Sequence, residues 1–362
     1  MRVLHISSSR TYSGTERHIG DLCRGLAARG HEVHMALRPT NEWEGRLDFL
    51  DPERLMRTSI RNSFGMFNAT RIGKYLKECR IDVIHAHVAR DYIASAVAAR
   101  ISDTTRFVLT RHMMGPLKPF HRLALRNADA AIAVSPAVAG QLERTFARKK
   151  IHLILNGLRV EPGNEEQTSG REFRDFHSIP HDIPLIGTLG ELKPSKGQRD
   201  FILAAGEVIK EAPECRFVIA GIDHTVDQRF KRELKRLARV LGLSDKITWL
   251  EWLDETAPLF AAIDVFVSPS HSESFGLAIL EAMARGKAVA ASRTDGAREL
   301  LGRAGSIFPV NAPVEMAAAI VDLIDDRDRR MSMGSELQKI ASERFSVERM
   351  VDQTEALYRS LF

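Results

Sequence analysis

The chain has 362 residues, 44% hydrophobic and 27% charged, with a formal net charge of +5, a balance that fits a globular protein of two domains and excludes a disordered or fibrous one. Its three cysteines, Cys23, Cys79 and Cys215, are scattered and odd in number, which excludes a disulfide framework and a zinc-finger pattern and points to a reducing cytoplasm. No apolar run reaches the roughly 18 residues that a membrane span requires.

The opening Met1-Arg-Val-Leu-His-Ile-Ser is too short for a signal peptide and reads as a first strand. A helix over Thr15–Arg29 stops at Gly30. Further strands are predicted at 31–37, 82–87, 106–110, 129–134 and 151–155, with helices between most of them. The stretch from Glu161 to Asp182, with Pro162, Gly163, Gly170 and Pro180, reads as a linker. Beyond it, strands are predicted at 184–190, 215–221, 246–252, 264–269, 287–292 and 305–310. The helices that alternate with them fall at 197–211, 226–241, 274–285 and 313–325. Near-continuous apolar strands alternating with helices imply parallel sheets covered on both faces. The fold class is therefore α/β, with two Rossmann-like doubly wound domains over residues 1–165 and 183–345. Helices at 327–344 and 346–361 have no strand to follow them.

Ligands of doubly wound sheets lie beyond the carboxyl ends of the strands, so the segments at those ends carry the chemistry. The richest is Asp264-Val-Phe-Val-Ser-Pro-Ser-His-Ser-Glu-Ser-Phe-Gly-Leu-Ala-Ile-Leu-Glu281, a strand, a small polar turn and a helix. Glu273 stands in the turn. Glu281 stands in a helix that is otherwise apolar, where a carboxylate is costly unless donors reach it. Ligand hydroxyls are one source of donors and buried backbone is another. The free N–H groups at the helix start suit an anion, so hydroxyl-binding and phosphate-binding features lie about two turns apart.

Four other segments end strands. Ser13-Gly14-Thr15-Glu16 leads into a helix, and Gly14 lets backbone approach a ligand closely, although a capped helix explains the segment equally. Gly190-Glu-Leu-Lys193-Pro-Ser-Lys196-Gly197 offers cations. Thr110-Arg-His112 ends its strand on an imidazole, and Asn156-Gly157 reads as a structural turn. His85 and His87 share a strand face but lack an evident third ligand, so no metal is expected there. Asp326 and Asp328 have the spacing of a metal-binding pair but sit in a charged helical run.

Together these strings resemble the retaining glycosyltransferase family 4, which has the GT-B fold. The resemblance implies two domains facing a cleft, with the terminal segment 346–362 crossing back to the first domain. It implies that Glu273 contacts hydroxyls of the donor sugar and that Glu281 holds the ribose diol. Ser274, Phe275, Gly276 and Leu277 would offer backbone N–H groups to the diphosphate. Gly14 and Thr15 would face the same diphosphate, and Lys196 would neutralise it as it leaves. His112 would lie near the reacting sugar as a contact or proton-handling group. Two positions depart from the family pattern: Ser13 replaces a glycine, and Glu191 stands where an Arg is usual, with Lys193 as the nearby substitute cation.

The implied function is transfer of a sugar from a UDP-, GDP- or ADP-linked donor to a glycan, lipid-linked or lipopolysaccharide-type acceptor, with retention and with neither metal nor cofactor. Residues 1–170 carry 26 Lys and Arg against 17 Asp and Glu (+9), and residues 171–362 carry 26 against 30 (−4). The basic half suits an anionic acceptor or the inner face of a membrane, and no nucleic-acid recognition motif is present. The competing readings are a GT-B sugar-nucleotide epimerase and a non-catalytic sugar-nucleotide-binding partner subunit.

Overall fold

A computed structural model of the protein describes residues 1–58, 66–117, 121–122, 125–159 and 166–362. The chain divides into two compact units, Met1–Arg159 with Phe345–Phe362, and Val160–Arg344.

The first unit is built on seven strands: β1 (Arg2–Ser7), β2 (Glu32–Leu37), β3 (Leu55–Arg57), β4 (Val83–Ala86), β5 (Arg106–Arg111), β6 (Ala130–Ala133) and β7 (Ile151–Leu153). All pair in parallel, in the order β3-β2-β1-β4-β5-β6-β7. β3 is absent from the sequence prediction, because Leu55-Met-Arg57 follows the charged Asp51-Pro-Glu-Arg54 and ends on an arginine, leaving no apolar run to read. The central strands are buried along nearly their whole length, as helices on both faces require.

The terminal helix Val347–Arg359 belongs to this unit. Ser346 caps it by accepting from Arg349 N. Val347, Met350, Val351, Thr354, Leu357 and Tyr358 are buried on one face. The hydrophobic members join Ile19, Leu22, Cys23 and Leu26 of the helix Gly14–Ala28 in the core. Gly157 admits the returning chain, since a Cβ there would lie 2.3 Å from the Ser346 carbonyl oxygen. Leu158 N donates to Phe345 O at 2.8 Å beside it, so Asn156-Gly157 is a turn with a packing reason.

The second unit holds β8 (Leu185–Leu189), β9 (Arg216–Ala220), β10 (Ile247–Leu250), β11 (Val265–Ser268), β12 (Ala288–Ser292) and β13 (Ser306–Phe308). These are parallel, in the order β10-β9-β8-β11-β12-β13. The stretch read as a linker is corrected here. Its described part contains the helix Glu166–Phe176, which is part of the unit, while Glu161, Pro162 and Gly163 lie outside the described residues. Gly170 is no helix breaker: a Cβ there would meet Ala261 at 2.8 Å, so the glycine lets this helix lie flush on the helix Ala257–Ala262. Buried Arg174 fixes the contact by donating to Ala262 O (2.8 Å), Pro180 O (2.8 Å), Ile183 O (3.0 Å) and Asp264 Oδ2 (2.9 Å). Among the described residues no helix is long and apolar enough to cross a membrane.

Candidate active site

In the second unit the strand order reverses between β8 and β11: the chain runs outward from β8 through β9 to β10, then crosses to the other side of β8 at β11. The loops leaving these neighbours at their carboxyl ends must diverge, and doubly wound sheets bind ligands at that point. The loop after β8 carries Glu191, Lys193 and Lys196, and the loop after β11 carries Glu273. Gly197, at φ +70°, locks the two together: a Cβ would stand 1.9 Å from Pro269 O, so only glycine fits. His271 N donates to Ser195 O at 2.9 Å, adding a backbone tie.

That closure brings Lys196 Nζ onto Glu273 Oε1 as a half-buried ion pair across 77 residues of sequence. Ser270 Oγ donates to the same carboxylate oxygen at 2.9 Å. The resemblance assigns these two residues to the same ligand, and the fold places them in contact. Glu191 and Lys193 pair with each other at 2.5 Å, both about 40% exposed on their side chains. The acid at the usual Arg position is thus neutralised by the very lysine expected to replace that Arg. Lys196 is the cation that meets the Glu273 turn.

The following helix is Leu277–Ala284, three residues later than the predicted start at 274. The delay has a cause: Gly276 adopts φ +98°, which is not helical, and turns the chain into the helix. The N–H groups just past Gly276 open the first turn and lack intrahelical acceptors. Phe275 is buried, anchoring the turn from below, and Gly296 N donates to Glu273 O at 3.1 Å. Glu281 is only 6% exposed in this apolar helix. Thr256 Oγ1 donates to its Oε2 at 2.6 Å, so a protein hydroxyl already serves the buried carboxylate.

The corresponding reversal in the first unit lies between β1 and β4. Ser13 is extended, Gly14 and Thr15 open the helix Gly14–Ala28, and Ser13 Oγ donates to Glu16 Oε2 at 2.5 Å. The Glu16 carboxyl is buried, which pushes its pKa up.

Five imidazoles gather at the same end of this sheet. His5 and His85 are register partners on β1 and β4, and His87 follows β4. His18 comes from the helix and His112 from the end of β5. His5 Nδ1 and His87 Nε2 are 3.0 Å apart, and His87 Nδ1 and His112 Nε2 are 3.4 Å apart. His85 bonds Tyr358 OH (2.5 Å) and Thr110 Oγ1 (2.7 Å). The sequence expectation that His85 and His87 lack a third ligand is therefore corrected, since three more histidines converge on them. The visible signal was His5 on the first strand, which a parallel neighbour must face; His18 and His112 needed the fold.

Burial drives all five rings towards the neutral form, His5 to about 3 and His18 to about 4, with His85, His87 and His112 well below the usual imidazole range. After burial, neighbouring imidazoles push in the same direction for His5, His85, His87 and His112. A base with a depressed native pKa costs stability as pH falls below its unfolded pKa of 6.5, because the unfolded chain takes up a proton that the native one refuses. The buried carboxyls of Glu16 and Asp91 are pushed up, Asp91 to about 6, and act in the opposite sense. Five rings outweigh two carboxyls. Lowering the pH from about 6.5 towards 4 should therefore destabilise this unit. Melts of the whole chain should show the melting temperature falling steeply through that window, and a flat profile would contradict the neutral cluster.

The comparisons with known proteins follow this architecture. Family models described as "Glycosyltransferase Family 4" and "Glycosyl transferases group 1" match residues 12–161 and 169–340 respectively. The D-inositol 3-phosphate glycosyltransferase of Corynebacterium jeikeium is 31% identical over 96% of this chain and 92% of its own length. The lipopolysaccharide core biosynthesis glycosyltransferase LpsE of Rhizobium meliloti is 26% identical over 97% of each. The crystal structure of Anabaena HepE in complex with UDP-glucose superposes with a TM-score of 0.86 at 23% identity, over 99% of this chain and 100% of that one.

Proposed function

The chain belongs to glycosyltransferase family 4 and has the GT-B fold, and from that premise we propose that it moves a sugar, with retention, from a nucleotide diphosphosugar to a glycan or lipid-linked acceptor. The observation that carries this reading is the Lys196–Glu273 pair at the strand-order reversal of the second unit, beside a helix start and the buried carboxylate of Glu281.

In this reading Glu281 takes the ribose diol, whose hydroxyls add to the one that Thr256 already supplies. The turn Ser274-Phe275-Gly276-Leu277 directs N–H groups at the diphosphate. Glu273 orients the donor sugar. Lys196 leaves its partner to follow the charge that grows on the departing diphosphate, so fixed protein charge does the neutralising and no metal is assigned to the transfer step. Lys193 stays with Glu191 and tunes that charge from nearby. Gly14, Thr15 and His112, in the first unit, keep the roles the resemblance implies, at the diphosphate and the reacting sugar. Retention follows from same-face attack through an oxocarbenium-like ion pair.

Two names among the relatives support the substrate classes. HepE is described with UDP-glucose, which favours a UDP-linked donor, and LpsE acts in lipopolysaccharide core assembly, which favours a lipid-linked acceptor. The basic first half of the sequence fits such an anionic acceptor and a place at the cytoplasmic face of a membrane.

Thermal-shift screening against UDP-, GDP- and ADP-sugars identifies the donor, since a bound ligand raises the melting temperature by mass action. With the donor in hand, Glu281→Ala should weaken its binding about 10- to 100-fold, the loss of charge-assisted bonds to two hydroxyls. Unchanged donor affinity would remove the ribose assignment. An inverted anomeric centre in the product's NMR spectrum would remove the retaining mechanism. Conversion of the donor with no acceptor present would mean an epimerase.

A further inference from the structure

The histidine cluster of the first unit has more nitrogen than its own hydrogen bonds can use. His85 is fully occupied, one ring nitrogen by Tyr358 and the other by Thr110. His87 is held from one side by His5, at 3.0 Å between His5 Nδ1 and His87 Nε2. Its other nitrogen, Nδ1, lies 3.4 Å from His112 Nε2. That separation is long for a hydrogen bond between nitrogens. It does match the edge of a tetrahedron about an ion with bonds of roughly 2.0–2.1 Å, which is about 3.4 Å. His18 completes the triangle. Its ring meets His112 edge-on with centroids 4.7 Å apart, and it is buried with neither ring nitrogen in a well-formed hydrogen bond, Asn156 standing beside it. One nitrogen each of His18, His87 and His112 lies within 4.8 Å of the other two.

We propose that His18, His87 and His112 form a binding site for a divalent transition-metal ion of the zinc class. Three imidazoles and an open fourth position make a familiar geometry for such an ion. The three ligands sit on separate elements, a helix, the end of β4 and the end of β5, each already fixed by the sheet. His5 is the outer partner that orients His87, as outer partners of metal-bound imidazoles do. His112, partly open to solvent, marks the side on which water or another ligand takes the fourth position. The burial that keeps these rings neutral also keeps them in the form that binds metal. The second possible triad, His5, His85 and His87, is the poorer one, because His85 would have to give up Tyr358 or Thr110.

This site shares His112 with the transferase reading, so its test does not use activity and reads metal binding alone. The full chain, freed of metal with a chelator, is titrated at pH 7.5 with Co²⁺ followed by visible absorption, and with Zn²⁺ in competition with a chromogenic chelator. One ion per chain is expected, with the intense visible bands of tetrahedral cobalt. His112→Ala and His18→Ala should each weaken Zn²⁺ binding at least tenfold. His224→Ala, which removes an exposed histidine elsewhere, should leave it unchanged. Circular dichroism melts accompany each variant, and only variants that melt cooperatively are compared. Octahedral cobalt spectra, no zinc retained against the chelator, or full binding by both His112→Ala and His18→Ala would each overturn the site.

Discussion

Lys196→Ala should lower kcat by about 10²- to 10³-fold, the usual consequence of deleting one preorganised contact to charge that develops in the transition state. The fall should appear mainly in kcat and much less in KM, because the ground-state diphosphate already carries its charge and the lysine's added contribution comes as the bond breaks. Structure sharpens the expectation. Lys196 is the cation in contact with Glu273, whose side chain is only 15% exposed, so its removal also leaves that carboxylate facing the donor with no counter-charge. Lys196→Arg should recover part of the rate, since it restores the charge with a different fork of donors. Steady-state kinetics on the purified chain decides the matter, and wild-type turnover by the alanine variant would sink the leaving-group assignment. Lys193→Ala offers the contrast. Its lysine is paired to Glu191 and half exposed, so a change well below that of Lys196→Ala is expected.

The largest effect on stability should come from Arg174→Met. The guanidinium is buried and satisfies three backbone carbonyls and Asp264 at once, and Asp264 Oδ2 also accepts from Leu185 N at 2.8 Å. Removing it strands a carboxylate and three carbonyls, for which a cost of about 3–5 kcal/mol is typical. For a unit of this size that corresponds to a fall of roughly 10 °C in its melting temperature. Calorimetry should show the loss, and a shift under about 2 °C would mean that Arg174 does not hold the helix Glu166–Phe176 to the sheet. Lysine is no substitute here, because a single ammonium cannot reach four separated acceptors.

Arg174 also marks the limit of what the sequence told. Twelve of the thirteen strands in the two sheets and most helices between them were legible from the sequence, the central strands most plainly, because parallel strands buried on both faces carry an unbroken apolar run. The helix Glu166–Phe176 was not, because its contacts are made by an arginine and a glycine, residues whose composition reads as solvent-exposed or helix-breaking. The Glu273–Glu281 string stood out because a carboxylate in an apolar helix breaks the local rule. Its link to Lys196 depends on two distant strands becoming neighbours, which no local pattern records. The histidine cluster failed to emerge for the same reason: five rings from four segments have no spacing in common.

The helix Val347–Arg359 has a consequence for biosynthesis. Residues of the final stretch, Val347, Met350, Val351, Leu357 and Tyr358, finish the hydrophobic interior of the unit whose strands were translated first. A nascent chain emerging from the ribosome therefore holds all six strands β8–β13 before it can seal the sheet made at its amino end. The later-made unit, contiguous in sequence, is free to fold while the earlier one waits with the place beside Ile19 and Leu22 uncovered. Order of synthesis and order of completion run in opposite directions.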